Sequence, residues 1–442
     1  MTTKTPNTQQ PSAFDAHHAP SKAIIEQCVH CGFCLPVCPT YVLWGQEMDS
    51  PRGRIYLMKM ASEGAAEMNA TWVSHFDSCL GCMACMTACP SGVDYGKLIE
   101  ATRAQIERKT ERSPGEKRHR RFMFENFAQP DRLRRMRLPL LAYQKLGLQA
   151  VARGLGLLKL LPKKLQTMEA LLPKLGRREA VAGVTPAIGT KRRRVGLLLG
   201  CVQREFFSQV NAATARVLAA EGCEVVAPEE QPCCGALLVH AGEEAAAVEL
   251  AKRTIEVFER ANVETVVTNA AGCGSNVKEY GHLLRDDPVY AGRAKVFAAK
   301  CKDISEVLAG LEPRAKRRRL ELRVAFHDSC HLQHAQGVRL QPRALLSGIP
   351  GLELAEIPEA AICCGSAGIF NLVQPEAANE LGDRKAYLIE PLNADVVATG
   401  NPGCILQMQS ALARGGQKTR VLHTIQILDA SIRGESSESL LR

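Results

Sequence analysis

The stretch Cys28-Val29-His30-Cys31-Gly32-Phe33-Cys34-Leu35-Pro36-Val37-Cys38-Pro39 has the spacing C-x2-C-x2-C-x3-C-P, which returns at Cys79, Cys82, Cys85, Cys89 and Pro90. In such a run three closely spaced thiolates grip one [4Fe–4S] cube, while the fourth cysteine crosses over to ligate the other cube. The spacing therefore assigns Cys28, Cys31, Cys34 and Cys89 to one cluster, and Cys79, Cys82, Cys85 and Cys38 to a second. Zinc knuckles and a disulfide framework are the competing readings. Structural zinc sites draw four ligands from two separated pairs, whereas each run here supplies four in close succession and closes on proline.

Working outward, Ser21–Gln27 reads as a short helix feeding the first run. Ser50-Pro51 is a natural helix start, with serine capping and proline at the first helical position, and the helix continues through Ile55–Met60. Tyr95–Arg108 is a third helix. The long insertion between the runs fits helices better than hairpins, so residues 20–108 are expected to form a mostly helical two-cluster domain. Arg52, Arg54 and Lys59 lie between the runs. They are placed to donate hydrogen bonds to cluster sulfur or to dock a partner, with ordinary surface pairing an equal alternative.

The chain of 442 residues carries 18 cysteines and a net charge of +10, too long for one ordinary core. Residues 1–19 are polar, without the apolar core of a secretory leader, and read as a disordered tail. No apolar run reaches the length of a membrane span, which points to a cytoplasmic protein whose thiols are reduced and carry metal. The charge is concentrated: residues 106–195 hold 23 Lys and Arg against 7 Asp and Glu. Within the expected basic helical linker, 109–190, Leu157, Leu158, Leu160 and Leu161 at helical period form an apolar side beside cationic positions such as Lys145, Arg153 and Lys159. A basic amphipathic helix of this kind suits an anionic membrane surface or a partner subunit, with a solvated linker as the alternative. No nucleic-acid motif is present, so nucleic acid is not expected as a partner.

From residue 192 the pattern changes to alternating strands and helices: strands at 195–199, 223–226 and 263–268, helices at 206–221 and 243–261. Such alternation favours a parallel sheet covered by helices. It returns with strands at 322–326 and 395–399 and a helix at 375–389. The cysteines repeat as well. Cys201, Cys233-Cys234-Gly235 and Cys273 are matched in the same order by Cys330, Cys363-Cys364-Gly365 and Cys404. Each of the two gaps differs by only a single position between the halves. That agreement marks a duplication, giving repeats at 191–310 and 320–432. Thiols at the carboxyl ends of parallel strands converge where such sheets bind cofactors, so these eight cysteines are candidate ligands for additional [4Fe–4S] clusters. Cys223 and Cys301 fall outside the pattern and read as structural. His327, His331 and His334 surround Cys330 and read as capping or packing residues before ligands.

The paired runs, Asp49-Ser50-Pro51-Arg52-Gly53-Arg54-Ile55-Tyr56 and the two Cys-Cys-Gly domains resemble the glycolate oxidase iron–sulfur subunit family over residues 20–430. Heterodisulfide reductase subunits and the iron–sulfur subunit of anaerobic glycerol-3-phosphate dehydrogenase share the layout and supply the alternative functions. The resemblance implies an α/β protein overall: a helical two-cluster domain, a linker and two cysteine-rich domains. It implies an electron-transfer subunit of a glycolate dehydrogenase, with no catalytic residue of its own. Flavin-containing partner subunits would oxidise glycolate to glyoxylate, and electrons would go to quinone at the inner face of the cell membrane. No glycine-rich dinucleotide fingerprint opens a helix here, which fits that division of labour. One departure stands out. The C-x-x-C ending of heterodisulfide reductase domains is here Cys273-Gly-Ser-Asn276 and Cys404-Ile-Leu-Gln407, which puts a five-cysteine non-cubane cluster and disulfide chemistry in doubt.

Overall fold

A computed structural model describes residues 11–441. They fall into two compact units, one containing residues up to Lys117 together with Val239–Glu244, the other the remainder.

The first unit is helical, with no strand among its described residues. Its helices include Lys22–Glu26, Pro39–Trp44, Pro51–Ser62, Ala70–Asp77 and Tyr95–Lys109. Apolar positions at helical spacing bring Ile55, Met58, Trp72, Phe76, Leu98 and Ile106 into one core. The expected disordered tail is corrected over residues 11–19. Phe14 is buried against Trp72, and the Asp15 N–H donates to Gln105 Oε1 at 2.8 Å. One aromatic anchor followed by a carboxylate paired to Arg108 is enough to hold a polar segment in place. Residues 1–10 of that expectation lie outside the described residues.

Helical segments between Pro114 and Ala170 precede the two sheets of the second unit. Leu157–Leu160 is a single 3-10 turn, not part of an amphipathic helix, which corrects the expected Leu157–Leu161 face. Gly154 and Gly156 interrupt the helix before it and Pro162 stops the turn, so Leu160 stands 83% exposed.

The first sheet contains β1 (Val184–Thr185), β2 (Arg193–Leu197), β3 (Cys223–Val226), β4 (Thr265–Thr268) and β5 (Cys301–Asp303), in the order β1-β3-β2-β4-β5. All pairs are parallel except β1–β3. The second contains β6 (Leu322–Phe326), β7 (Leu352–Glu356), β8 (Val396–Thr399) and β9 (Arg420–His423), ordered β7-β6-β8-β9 and wholly parallel. The duplication is thus a shared strand order: β3-β2-β4-β5 corresponds to β7-β6-β8-β9. In each, the chain leaves the central strand to one side and returns on the other. This creates a switch point at the carboxyl ends of β2 and β4, and of β6 and β8, where ligand crevices form. The central strands are buried on both faces, and their valines merge with flanking helices into one continuous core.

Candidate metal centres

None of the eighteen cysteines, all among the described residues, is joined in a disulfide. Those of the two runs line two cavities. The first, about 420 Å³, is lined by Cys28, Cys31, Cys34 and Cys89, with Cys85 on its wall. The second, about 300 Å³, is lined by Cys38, Cys79, Cys82 and Cys85. The fourth cysteine of each run therefore faces the other run's cavity. Four thiols converging on one void are the donor set of a [4Fe–4S] cube. The sites differ in depth: Cys31 is exposed, while Cys38, Cys79, Cys82 and Cys85 are buried.

The stretch between the runs explains how both cavities are built at once. The Gly53 N–H donates to Ser50 Oγ at 3.0 Å, capping the helix, and Pro51 occupies its first turn. A Cβ on Gly53 would lie 1.9 Å from the Glu47 carbonyl oxygen, so only glycine admits this close turn. Arg52 then faces the first cavity: its backbone N–H reaches the Cys34 thiol, its Nη1 donates to His30 O at 3.0 Å, and its Nε pairs with Glu47 at 2.7 Å.

Arg54 faces the second cavity and is not a surface residue. Its side chain is 1% exposed and donates to Asp49 O at 2.6 Å, Ser78 Oγ at 2.8 Å and Thr40 Oγ1 at 3.2 Å. Burial opposes its charge, but Cys79, Tyr95, Cys38 and Asp49 hold its pKa above the ordinary value. Reciprocally, burial pushes the Cys79 thiol up, yet Arg54 and Arg103 hold it below the ordinary thiol range. The cationic surroundings thus favour the thiolate form at Cys79, whereas burial and the neighbouring thiols push Cys85 well up. Lys59 is exposed on the same helix and lines neither cavity.

In the second unit the repeated cysteines collect at the two switch points. In the first repeat Cys201 and Cys233 Sγ are 3.5 Å apart, and Cys234 is hydrogen-bonded to Cys273. In the second, Cys330 and Cys363 Sγ are 3.8 Å apart, and Cys364 is hydrogen-bonded to Cys404. Each repeat thus brings its four thiols together in one row, since Cys233 is also hydrogen-bonded to Cys234 and Cys363 to Cys364. The residues standing where a fifth cysteine would be are buried amides that bind backbone. Asn276 Nδ2 donates to Cys234 O at 2.6 Å; Gln407 Nε2 donates to Ala378 O at 2.7 Å and its Oε1 accepts from Asn371 at 3.2 Å.

Individual thiols in these rows are shifted in opposite directions. Hydrogen bonding to Cys233 and burial push the Cys201 thiol well up. Hydrogen bonding to Cys364 pulls Cys404 down to about 5 against its burial, and His327 adds to the pull. Sequence reasoning sets His327 aside as a capping or packing residue, but its imidazole nitrogen and the sulfurs of Cys364 and Cys404 lie within 4.8 Å of one another. His331 Nδ1 is 3.5 Å from Cys330 Sγ, and His334 Nε2 is 3.3 Å from Ala361 O. Cys223 and Cys301 lie buried in β3 and β5, and Cys301 Sγ donates to Phe297 O at 3.3 Å.

Known families match along nearly the whole chain. Residues 24–93 match the 4Fe-4S dicluster domain, and residues 195–278 and 324–409 each match the cysteine-rich domain. Residues 115–172 match the linker region of the glycolate oxidase iron-sulfur subunit. Among curated proteins, the "Probable glycolate oxidase iron-sulfur subunit" of Bacillus subtilis is 42% identical over 91% of this chain and 92% of its own length. The glycolate oxidase iron-sulfur subunit of Escherichia coli is 35% identical over 93% of this chain and 95% of its own. Lactate utilization protein A of Halalkalibacterium halodurans is 32% identical over 53% of this chain and 96% of its own. With two thiol-lined cavities at the dicluster match and two thiol sites at the repeated match, the chain is an electron-transfer subunit carrying [4Fe–4S] clusters, and it belongs to the glycolate oxidase iron–sulfur subunit family.

Proposed function

We propose that the chain relays electrons within a glycolate dehydrogenase, from a flavin subunit that oxidises glycolate to glyoxylate toward membrane quinone. The observation that carries this reading is the pair of thiol-lined cavities of unequal depth. Cys28, Cys31, Cys34 and Cys89 would hold one [4Fe–4S] cluster, and Cys79, Cys82, Cys85 and Cys38 the other. A cluster there supplies a one-electron carrier; the chain's own residues set its depth and its electrostatics. Val29 and Phe33, which line the cavity with Cys31, are 68% and 65% exposed, and Tyr56, 45% exposed, meets the His30 ring edge-on. They give the shallower site an apolar rim against which a partner can exclude water, and we assign electron exchange with the flavin subunit to this face.

The functional division follows as a dicluster domain at 20–108, a linker at 109–190, and repeats at 191–310 and 320–432. Cys201, Cys233, Cys234 and Cys273, and likewise Cys330, Cys363, Cys364 and Cys404, would hold further metal groups. Asn276 and Gln407, bound to backbone, weigh against a thiol–disulfide reductase. No helix among the described residues is long and apolar enough to cross a membrane. Exposed Leu138, Leu146, Leu148, Val151 and Leu155 stand among the linker cations, which supports peripheral attachment at the anionic inner face of the cell membrane.

Purification of the complex with its native partners tests the reading. It should contain flavin and reduce a soluble quinone with glycolate. Reduction with glycerol 3-phosphate alone would move the chain to the glycerol-3-phosphate dehydrogenase alternative.

A further inference from the structure

The two repeats are built on one plan, so a difference between corresponding positions is informative. Leu198 and His327 occupy the same position ahead of the first cysteine of their repeat, just past the central strand. The Leu198 N–H donates to Val267 O at 2.9 Å, and the His327 N–H donates to Ala398 O at 2.8 Å, so the backbones correspond as well. Both residues are 2% exposed. Leucine offers no donor atom to a metal. Histidine does, and its nitrogen and the sulfurs of Cys364 and Cys404 lie within 4.8 Å of one another. Metal–nitrogen and metal–thiolate bonds of about 2.0–2.3 Å in tetrahedral geometry place donor atoms roughly 3.3–3.8 Å apart, so three donors in this space can share one metal.

We infer that the second repeat holds its metal group through a mixed set that includes His327 with Cys364 and Cys404, whereas the first repeat uses thiolates alone. The inference rests on the reading that the repeats bind metal. Its chemical consequence is a difference in charge. A neutral imidazole adds no negative charge where a thiolate adds one, and histidine ligation raises the potential of an iron–sulfur centre. Where the groups are iron–sulfur centres, the second repeat is therefore the more easily reduced of the two.

The test uses the full chain purified anaerobically with its native partners. His327→Leu installs the residue of the first repeat, and His327→Cys offers a thiolate at the same place. Metal analysis should show His327→Leu losing one site's complement, about four irons if the group is a cube or one ion if it is a single metal such as zinc. His327→Cys should retain that metal. For iron, pulsed electron paramagnetic resonance of the reduced protein should show an imidazole nitrogen coupling that His327→Cys abolishes. Full metal retention in His327→Leu, with unchanged spectra, would overturn the ligand assignment and leave the repeat sites standing. About eight irons, the content of two cubes, and no other metal in the unsubstituted protein would empty the repeats, and both readings would fall.

Discussion

In the first repeat β2 ends at Leu197 and the chain reaches Cys201 past the apolar Leu198; in the second, β6 ends at Phe326 and the chain reaches Cys330 past the buried His327. The same contrast recurs around both sites. Asn276 is shorter and shares the Cys234 carbonyl with Tyr280, while Gln407 bridges Asn371 and Ala378. The helices following β5 and β9 are capped by Asp303 in one repeat and by His423 in the other, each in a capping box. The thiols keep their places because strand order dictates where they emerge. The walls around them pack against different neighbours and are free to change. A duplicated scaffold can thus retain two metal sites and give each its own electrostatics.

The largest expected effect breaks the comparison at the thiols. Cys273→Ser and Cys404→Ser should each remove the metal of one repeat and spare the other, read as metal per chain. Joint loss from either single change would mean that the repeats share one site.

Next come the glycines after the paired cysteines. Gly235 and Gly365 have φ of +84° and +91°, a region costing a side chain roughly 1–3 kcal/mol. A Cβ on Gly365 would also lie 2.6 Å from the Ala378 carbonyl oxygen, against 3.5 Å from Ala247 for Gly235. Thermal unfolding should therefore show Gly365→Ala losing more stability than Gly235→Ala, by roughly a further 1–3 kcal/mol.

The two caps should respond to pH with opposite sign. Burial lowers His423 from 6.5 to about 4 against its hydrogen bonds to Asn269 and Gly400. The unfolded chain then binds more protons in that window, and stability falls as pH drops from 6.5 toward 4, by roughly 3 kcal/mol in all. Burial raises Asp303 from 3.8 to about 6 against its hydrogen bonds from Ser305. Here the native state holds the proton, and stability falls as pH rises from 4 to 6, by roughly 3 kcal/mol. His423→Asn should flatten the acid-side loss and Asp303→Asn the other, measured as unfolding midpoints across that pH range.

The smallest effect separates the amides. Asn276→Ala leaves Cys234 O its bond from Tyr280 at 2.7 Å, so a loss of about 1 kcal/mol is expected. Gln407→Ala strands groups on two sides, for roughly 1–3 kcal/mol, measured by denaturant unfolding.

Much of this is legible in the sequence, because cysteine spacing is local and the duplication repeats it. The helix at Pro375–Ile389 and the cap at Ser50 follow from period, proline and serine alone. Strand β7 does not show itself: Leu352-Glu353-Leu354-Ala355-Glu356 is half exposed and lacks a buried strand's apolar run. Residue type alone leaves Arg54 divided between the clusters and the surface, although it falls on the stripe of Pro51, Met58 and Ala61, all buried on the same helix. His327 reads naturally against its neighbour Cys330, whereas its close sulfur partner Cys404 arrives much later in the chain, after β8. Aligning the two repeats exposes it, since a histidine replaces leucine beside a fully buried strand end.

The most direct test of the electron path is electron paramagnetic resonance on the complex purified anaerobically with its native partners and frozen before and after glycolate, with glycerol 3-phosphate as control. Growth of reduced-cluster signals with glycolate alone is the expected result. Clusters that dithionite reduces but glycolate does not would contradict the account.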